Sequence, residues 1–115
     1  MMMMSDCLFC QIATKAIDTP LLYEDAQCVA FNDINPLAPV HILLVPKRHI
    51  DSLACIGPDD LPLLSELLAL CPLLAQQAKL HNGFLTIINT GKEGGQTINH
   101  LHIHILGGGI IRPMP

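Results

Sequence analysis

Along the chain the apolar positions alternate between helical and extended rhythms. Residues 8–15 carry a short helical signal that stops before Asp18, Thr19 and Pro20. Leu21-Leu22-Tyr23-Glu24 and residues 28–32 are short enough for strands, with Asp25, Ala26 and Gln27 as the turn between them. The stretch from Asp33 to Pro39 is a loop whose path Pro36 and Pro39 fix. Residues 40–45, rich in Val, Ile and Leu, read as a central strand with His41 as the odd member and Pro46 as its end. Gly57-Pro58-Asp59-Asp60 signals a helix start, and a Leu-rich stretch follows to Leu80, closed by Asn82-Gly83.

In that stretch Leu61, Leu64, Leu68, Cys71, Ala75 and Ala78 form one helical stripe, and Leu63, Leu67, Leu70 and Leu74 a second. So wide an apolar arc predicts burial on more than one side, and a partner copy can supply the second. Pro72 costs about 3 kcal/mol in a straight helix, so a bend or break is expected near residues 68–72. Residues 84–89 read as a strand and 90–96 as a Gly-rich loop. Residues 100–106 alternate strictly, as a half-buried strand does.

The order is one short helix, three strands, one long helix, two strands. It predicts an α+β domain with a mainly antiparallel five-stranded sheet, spanning all 115 residues, with 1–5 and 110–115 as flexible or irregular tails.

Composition narrows the function classes. Half the residues are hydrophobic, with no Trp, one Tyr and three Phe, so a base-binding slot is expected to be lined mainly by Ile, Leu and Val. A net charge of −4 with only six Lys plus Arg argues against a nucleic-acid partner. It leaves room for a small ligand with one or two phosphates. Residues 1–4 lack the positive flank of a secretory signal, and residues 61–80 are too interrupted by polar groups and prolines to span a membrane. The expected compartment is the cytoplasm, where the five cysteines are thiols or metal ligands.

The candidate chemistry lies near the end of the chain. In a strand, residues i, i+2 and i+4 share a face, so His100, His102 and His104 stand in a row with Leu101, Ile103 and Ile105 turned to the core. Imidazoles about 7 Å apart along a strand have no packing advantage over Val or Thr. Two chemical readings remain: a metal site, or a nucleophile with orienting partners. The loop from Asn89 to Thr97 runs straight into the row. Its backbone N–H groups at Gly94, Gly95 and Gln96, with the Thr97 hydroxyl, are candidates to bind phosphate oxygens.

The run Gly95-Gln96-Thr97-Ile98-Asn99-His100-Leu101-His102-Ile103-His104-Ile105-Leu106-Gly107-Gly108 resembles the signature of the histidine-triad proteins. Residues 31–50, from Phe31-Asn32-Asp33-Ile34-Asn35-Pro36 through Val40-His41 to Pro46-Lys47-Arg48-His49-Ile50, are similar to the other hallmark block of the Hint-like branch. That resemblance implies a purine nucleoside phosphoramidase or related nucleotidyl hydrolase working as a homodimer that joins its sheets. It implies His102 as the nucleophile on the α-phosphorus, His104 against the phosphate and leaving group, and His41 as a support for the cluster. Asn89, Gly95 and Thr97 match phosphate contacts, Asp33 a ribose contact, and Ile34 with neighbouring aliphatics the base sandwich. A Trp near the C-terminus, found in some Hint proteins, is replaced here by Ile110-Ile111-Arg112-Pro113-Met114-Pro115.

Cys7-Leu8-Phe9-Cys10 is a C-x-x-C pair that needs two more ligands for a closed tetrahedral site. Some bacterial histidine-triad proteins look alike here, and the resemblance implies a structural zinc on Cys7, Cys10, His49 and His100. His100 then belongs as much to that site as to catalysis, while Cys28, Cys55 and Cys71 are expected to be packed thiols. Two other classes stay open: a nucleotide-binding regulator with vestigial hydrolysis, and a protein that binds metal through the whole triad.

Overall fold

The computed structural model describes residues 6–109, and both expected tails lie outside them. Helix α1 (Leu8–Ala13) starts where the Cys7 thiol accepts the N–H of Cys10 at 3.4 Å. It ends before the expected residue 15, because the chain turns out through Lys15 at a left-handed φ of 65°.

Strands β1 (Tyr23–Glu24), β2 (Cys28–Asn32), β3 (Val40–Pro46), β4 (Leu85–Ile87) and β5 (Ile103–Gly107) form one sheet in the order β1-β2-β3-β5-β4. Every pair is antiparallel. The turn between β1 and β2 is organised by Asp25, whose carboxylate accepts the N–H groups of Gln27 and Cys28 at 2.7 and 2.9 Å. The α+β class and the five strands agree with the sequence pattern.

Helix α2 (Leu61–Gln77) follows two short 3-10 turns and runs unbroken through Pro72. The expected break is therefore absent. Pro72 and Leu68, whose carbonyl the proline leaves without its helical donor, both belong to exposed residues, so water can fill that role. Each apolar stripe is buried only in part, and Leu73 lies outside both. Leu67, Cys71, Leu74 and Ala75 are buried, whereas Leu61, Leu68 and Leu73 stay exposed. Full burial of a leucine stabilises by about 1.5–3 kcal/mol, so Leu67 and Leu74 anchor the helix to the sheet.

The sheet divides the core by residue parity. Ala30, Ile42, Leu44, Ile103 and Ile105 face α2, while Val29, Phe31, Leu43 and Val45 face α1 through Phe9 and Ile12. Among the described residues, no helix is long and apolar enough to cross a membrane. Cys28 and Cys71 are packed thiols, and burial pushes the Cys28 thiol up to about 12. Cys55 is exposed, contrary to expectation, because it closes a surface turn that Ser52 caps.

The histidine row also differs from expectation. β5 begins only at Ile103, so His104 is the triad member on the strand, while His100 and His102 precede it. The ladder stops at Leu44↔Ile103. Two residues further along β3, Pro46 has no N–H, and its carbonyl accepts from His100 Nε2 at 2.8 Å instead. The Leu101 N–H turns to the Ile50 carbonyl at 2.7 Å. Leu101, Ile103 and Ile105 nevertheless lie in the core, as the alternation requires.

Candidate active site and metal centre

The three triad histidines have different neighbours, and each neighbour fixes a proton. His102 Nδ1 lies 2.6 Å from the His100 carbonyl. A carbonyl can only accept, so Nδ1 carries the hydrogen and Nε2 keeps its lone pair. The His102 ring packs edge-on against Phe9 at 4.9 Å and against His104 at 5.0 Å.

His104 belongs to a second chain of hydrogen bonds. The Leu37 backbone N–H donates to His41 Nδ1 at 3.1 Å, so the hydrogen of neutral His41 sits on Nε2. That N–H points at His104 Nδ1, 2.9 Å away, and at Asp33 Oδ2, 3.4 Å away. His104 therefore accepts at Nδ1 and, when neutral, carries its hydrogen on Nε2. Burial, reinforced by His102 and His41, pushes His104 down from 6.5 to about 4. Burial also lowers His41, with Asp33 opposing it. Both imidazoles are thus neutral near pH 7, and the proton chain runs Leu37 to His41 to His104.

Asp33, His41 and His104 have their polar atoms within metal-ligand spacing of one another. The Leu37 N–H argues against a metal there, because His41 could ligate through Nε2 only by giving up its last ring proton. Hydrogen bonding accounts for the close approach.

The other cluster has the opposite character. Cys7 Sγ lies 3.2 Å from His100 Nδ1, and Cys10 Sγ lies 3.2 Å from His49 Nδ1 and 3.5 Å from His100 Nδ1. The four donor atoms lie within 4.8 Å of one another. The outer nitrogens are occupied: His100 Nε2 donates to the Pro46 carbonyl, and His49 Nε2 to Asp51 Oδ1 at 2.7 Å. Both Nδ1 lone pairs consequently face the two sulfurs, as metal-binding histidines require. These four residues could bind a metal ion.

A cleft of about 490 Å³ opens over the triad, lined by Asp33, Ile34, His41, Thr97, His102 and His104 among others. Its apolar walls are mainly aliphatic, as the composition suggested, with Leu8, Ile12, Ile17, Leu37 and Leu43 among them, and Phe9 and Phe31 add two aromatic rings. Ile34 is 88% exposed at the mouth.

The sequence matches, over residues 6–110, the family profile described as "Scavenger mRNA decapping enzyme C-term binding". It is 52% identical to Protein HitA of Neisseria gonorrhoeae, covering 90% of this chain and 97% of that one. Its structure is similar to that of a histidine triad protein from Clostridium difficile, with a TM-score of 0.92 and 41% identity over 99% of this chain and 100% of the other. A HIT family hydrolase from Legionella pneumophila aligns with a TM-score of 0.89 and 40% identity, over 91% of this chain and 95% of that one. The chain belongs to the histidine-triad family.

Seen as a histidine-triad protein, the chain brings His41, His102 and His104 together under one cleft and turns the His100 side chain away to the cysteines. Asp33, Ile34 and Thr97 reach the cleft as expected. Asn89, Gly95 and Gln96 are not among the residues lining it. The amides offered to phosphate are taken inside the loop: Gly94 and Gln96 N–H donate to the Gly91 carbonyl, and Gly95 N–H to Lys92. The expected phosphate nest is thus closed in this structure. Gln96 acts as a brace, its Oε1 accepting from Gly91 N–H and its amide donating to the carbonyls of Asp51 and Ile98. Asn89 donates to the Gly94 carbonyl at 2.8 Å. Phe9 was missed by the sequence reading, although its place between the two cysteines was a usable signal.

Proposed function

We propose that this protein hydrolyses phosphorus–nitrogen bonds at the α-phosphate of purine nucleoside monophosphate derivatives. The supporting observation is the fixed tautomer of His102, whose Nε2 lone pair is left available beside the cleft. In this reading Nε2 attacks the α-phosphorus, and nitrogen leaves as the amine after gaining a proton. Water then cleaves the nucleotidyl-imidazole and restores the ring. His104 Nε2–H donates to phosphate oxygens as their charge grows, with His41 holding His104 in register. Asp33 is assigned to the ribose hydroxyls, and Phe9, Ile12, Phe31 and Ile34 to the base. Thr97 is assigned to phosphate, together with Asn89, Gly95 and Gln96 should the loop rearrange on binding.

We assign zinc to the Cys7, Cys10, His49 and His100 set. Two thiols and two imidazoles suit it, and the observed S···N separations of 3.2–3.5 Å approach the edge of a tetrahedron built from bonds of about 2.3 and 2.0 Å. When bound there, zinc supplies structure rather than Lewis acidity at phosphorus. The exposed Leu61, Leu68 and Leu73 on α2, and separately the edge strand β4 paired only to β5, support a homodimer. A ligand set of cysteines and histidines fits the reducing cytoplasm.

Turnover of adenosine 5′-phosphoramidate by wild type and His102→Ala tests the catalytic reading. Loss of turnover in the variant, with its fold retained, supports it. Equal rates would sink it and favour the regulator that only binds nucleotide.

A further inference from the structure

We propose that the thiolate metal centre and the nucleotide cleft are thermodynamically coupled, each tightening the other through His100 and Phe9. The inference rests on the nucleotide reading above. His100 is fully buried, and all its polar groups are engaged. Its Nδ1 faces the cysteines, Nε2 donates to Pro46 O, its N–H donates to Ile98 O at 2.8 Å, and its carbonyl holds His102 Nδ1. One residue thus presents its side chain to the metal centre and its carbonyl to the proposed nucleophile.

A second link runs through α1. Phe9 sits between the two cysteines of the metal knuckle, and its ring contacts both His102 and Phe31, at 4.9 and 5.7 Å. Leu8, Phe9 and Ile12 of the same helix form a wall of the cleft. A six-residue helix is far too short to hold itself in water. Its position therefore depends on Phe9 and Ile12 packing and on the knuckle that closes it against His49 and His100. His100 is a positioning residue that acts through His102, while Phe9, assigned above to the base, also shapes the wall and packs on His102.

The third link is a shared rim. A cavity of about 570 Å³ exposes Cys7, His49 and Asp51, and it shares Leu8, Thr97 and Ile98 with the nucleotide cleft. A nucleotide that orders those three residues also orders the rim of the metal-bound state, so less ordering remains to be done when the metal binds. Coupling of this kind is reciprocal: a metal that raises nucleotide affinity must have its own affinity raised by the same factor.

The test uses the zinc-loaded protein. Zinc affinity is measured by competition with a chromophoric chelator, with and without saturating AMP, and AMP affinity by calorimetry before and after zinc removal. The expected result is one common factor in both measurements, between about 5-fold and 150-fold. Imidazole ¹⁵N spectra should show His102 as a single Nδ1–H tautomer with zinc, and as a mixture without it. In Phe9→Leu, which keeps all four ligands, zinc should still bind and the factor should shrink toward one. Should zinc removal unfold the protein, AMP raises zinc affinity through folding alone, and the comparison of the factor in wild type and Phe9→Leu, each saturated with AMP, then decides the matter: equal factors overturn the coupling. AMP binding that leaves zinc affinity unchanged overturns the coupling and leaves the nucleotide reading standing. Failure of AMP to bind the zinc-loaded protein overturns both.

Discussion

His102 Nδ1 stands 2.6 Å from the carbonyl oxygen of His100, a neighbour two positions back in the chain. The contact gives the middle histidine of the row a definite tautomer. It also separates the roles of three side chains that look alike in sequence, since the His100 ring points the other way, to Cys7 and Cys10.

His41→Phe removes the donor to His104 Nδ1 and leaves the Leu37 N–H without its acceptor. Turnover is expected to fall about 10²-fold, the usual cost of a misplaced group at a reacting centre, with AMP affinity changed far less. Stability should fall by about 0.5–1.5 kcal/mol, the net worth of one hydrogen bond, because Leu37 is exposed and water can take its N–H. Steady-state kinetics, calorimetry and urea denaturation check the three parts.

The lowered His104 gives a pH dependence with a definite sign. The unfolded side chain titrates at 6.5 and the folded one at about 4, so between those values the unfolded chain binds more protons. The contribution of neutral His104 to stability is therefore complete above pH 6.5 and is lost as pH falls toward 4. His41, also lowered by burial, adds in the same direction, while Asp33 opposes both. Denaturation midpoints measured across pH 4–7 should fall less steeply toward acid for His104→Gln than for wild type.

Cys10→Ser breaks the metal set without touching the cleft floor. The variant should lose bound zinc, measured by mass spectrometry of the native protein. It should also lose at least about 2.7 kcal/mol, which is what a ligand present at a hundred times its Kd contributes. Full zinc content in the variant would show that these four residues are not the ligands.

Leu68 projects from α2 at 48% exposure, on the face away from the core. If that face joins two copies, Leu68→Asp should yield a monomer in sedimentation equilibrium while the helix content by circular dichroism is retained. A wild-type monomer at the same concentration would contradict the homodimer.

Much of the fold was legible because periodicity reports burial. Residues 28–32 were legible as a strand and 40–45 as a central one, and Leu67 and Leu74 lie in the core as their spacing required. What could not be read depended on partners distant in the chain. The alternation at residues 100–106 shows that the segment is extended, but whether it pairs depends on Pro46, fifty-four positions before His100. Glycine content at residues 91–95 suggested open amides, yet the loop closes on itself through Gly91 and Lys92, and Gly94 packs so tightly on Thr90 that a Cβ there would collide with the Thr90 carbonyl. The proline in α2 was read from its average cost, which is smaller where the orphaned carbonyl faces water. The site itself was legible as residues. Its proposed division into a nucleophile, a histidine chain and a metal set was implied by the family resemblance; the directions of the ring nitrogens, which spacing does not carry, supply the physical argument for it.

The most direct measurement is a rapid acid-free quench of the wild-type enzyme with adenosine 5′-phosphoramidate, followed by peptide mass spectrometry. The expected result is an adenylyl group on His102, absent from His102→Ala and from wild type without substrate. Turnover with no adduct on His102 at any quench time, or an adduct on His104 instead, would contradict the assignment of the nucleophile.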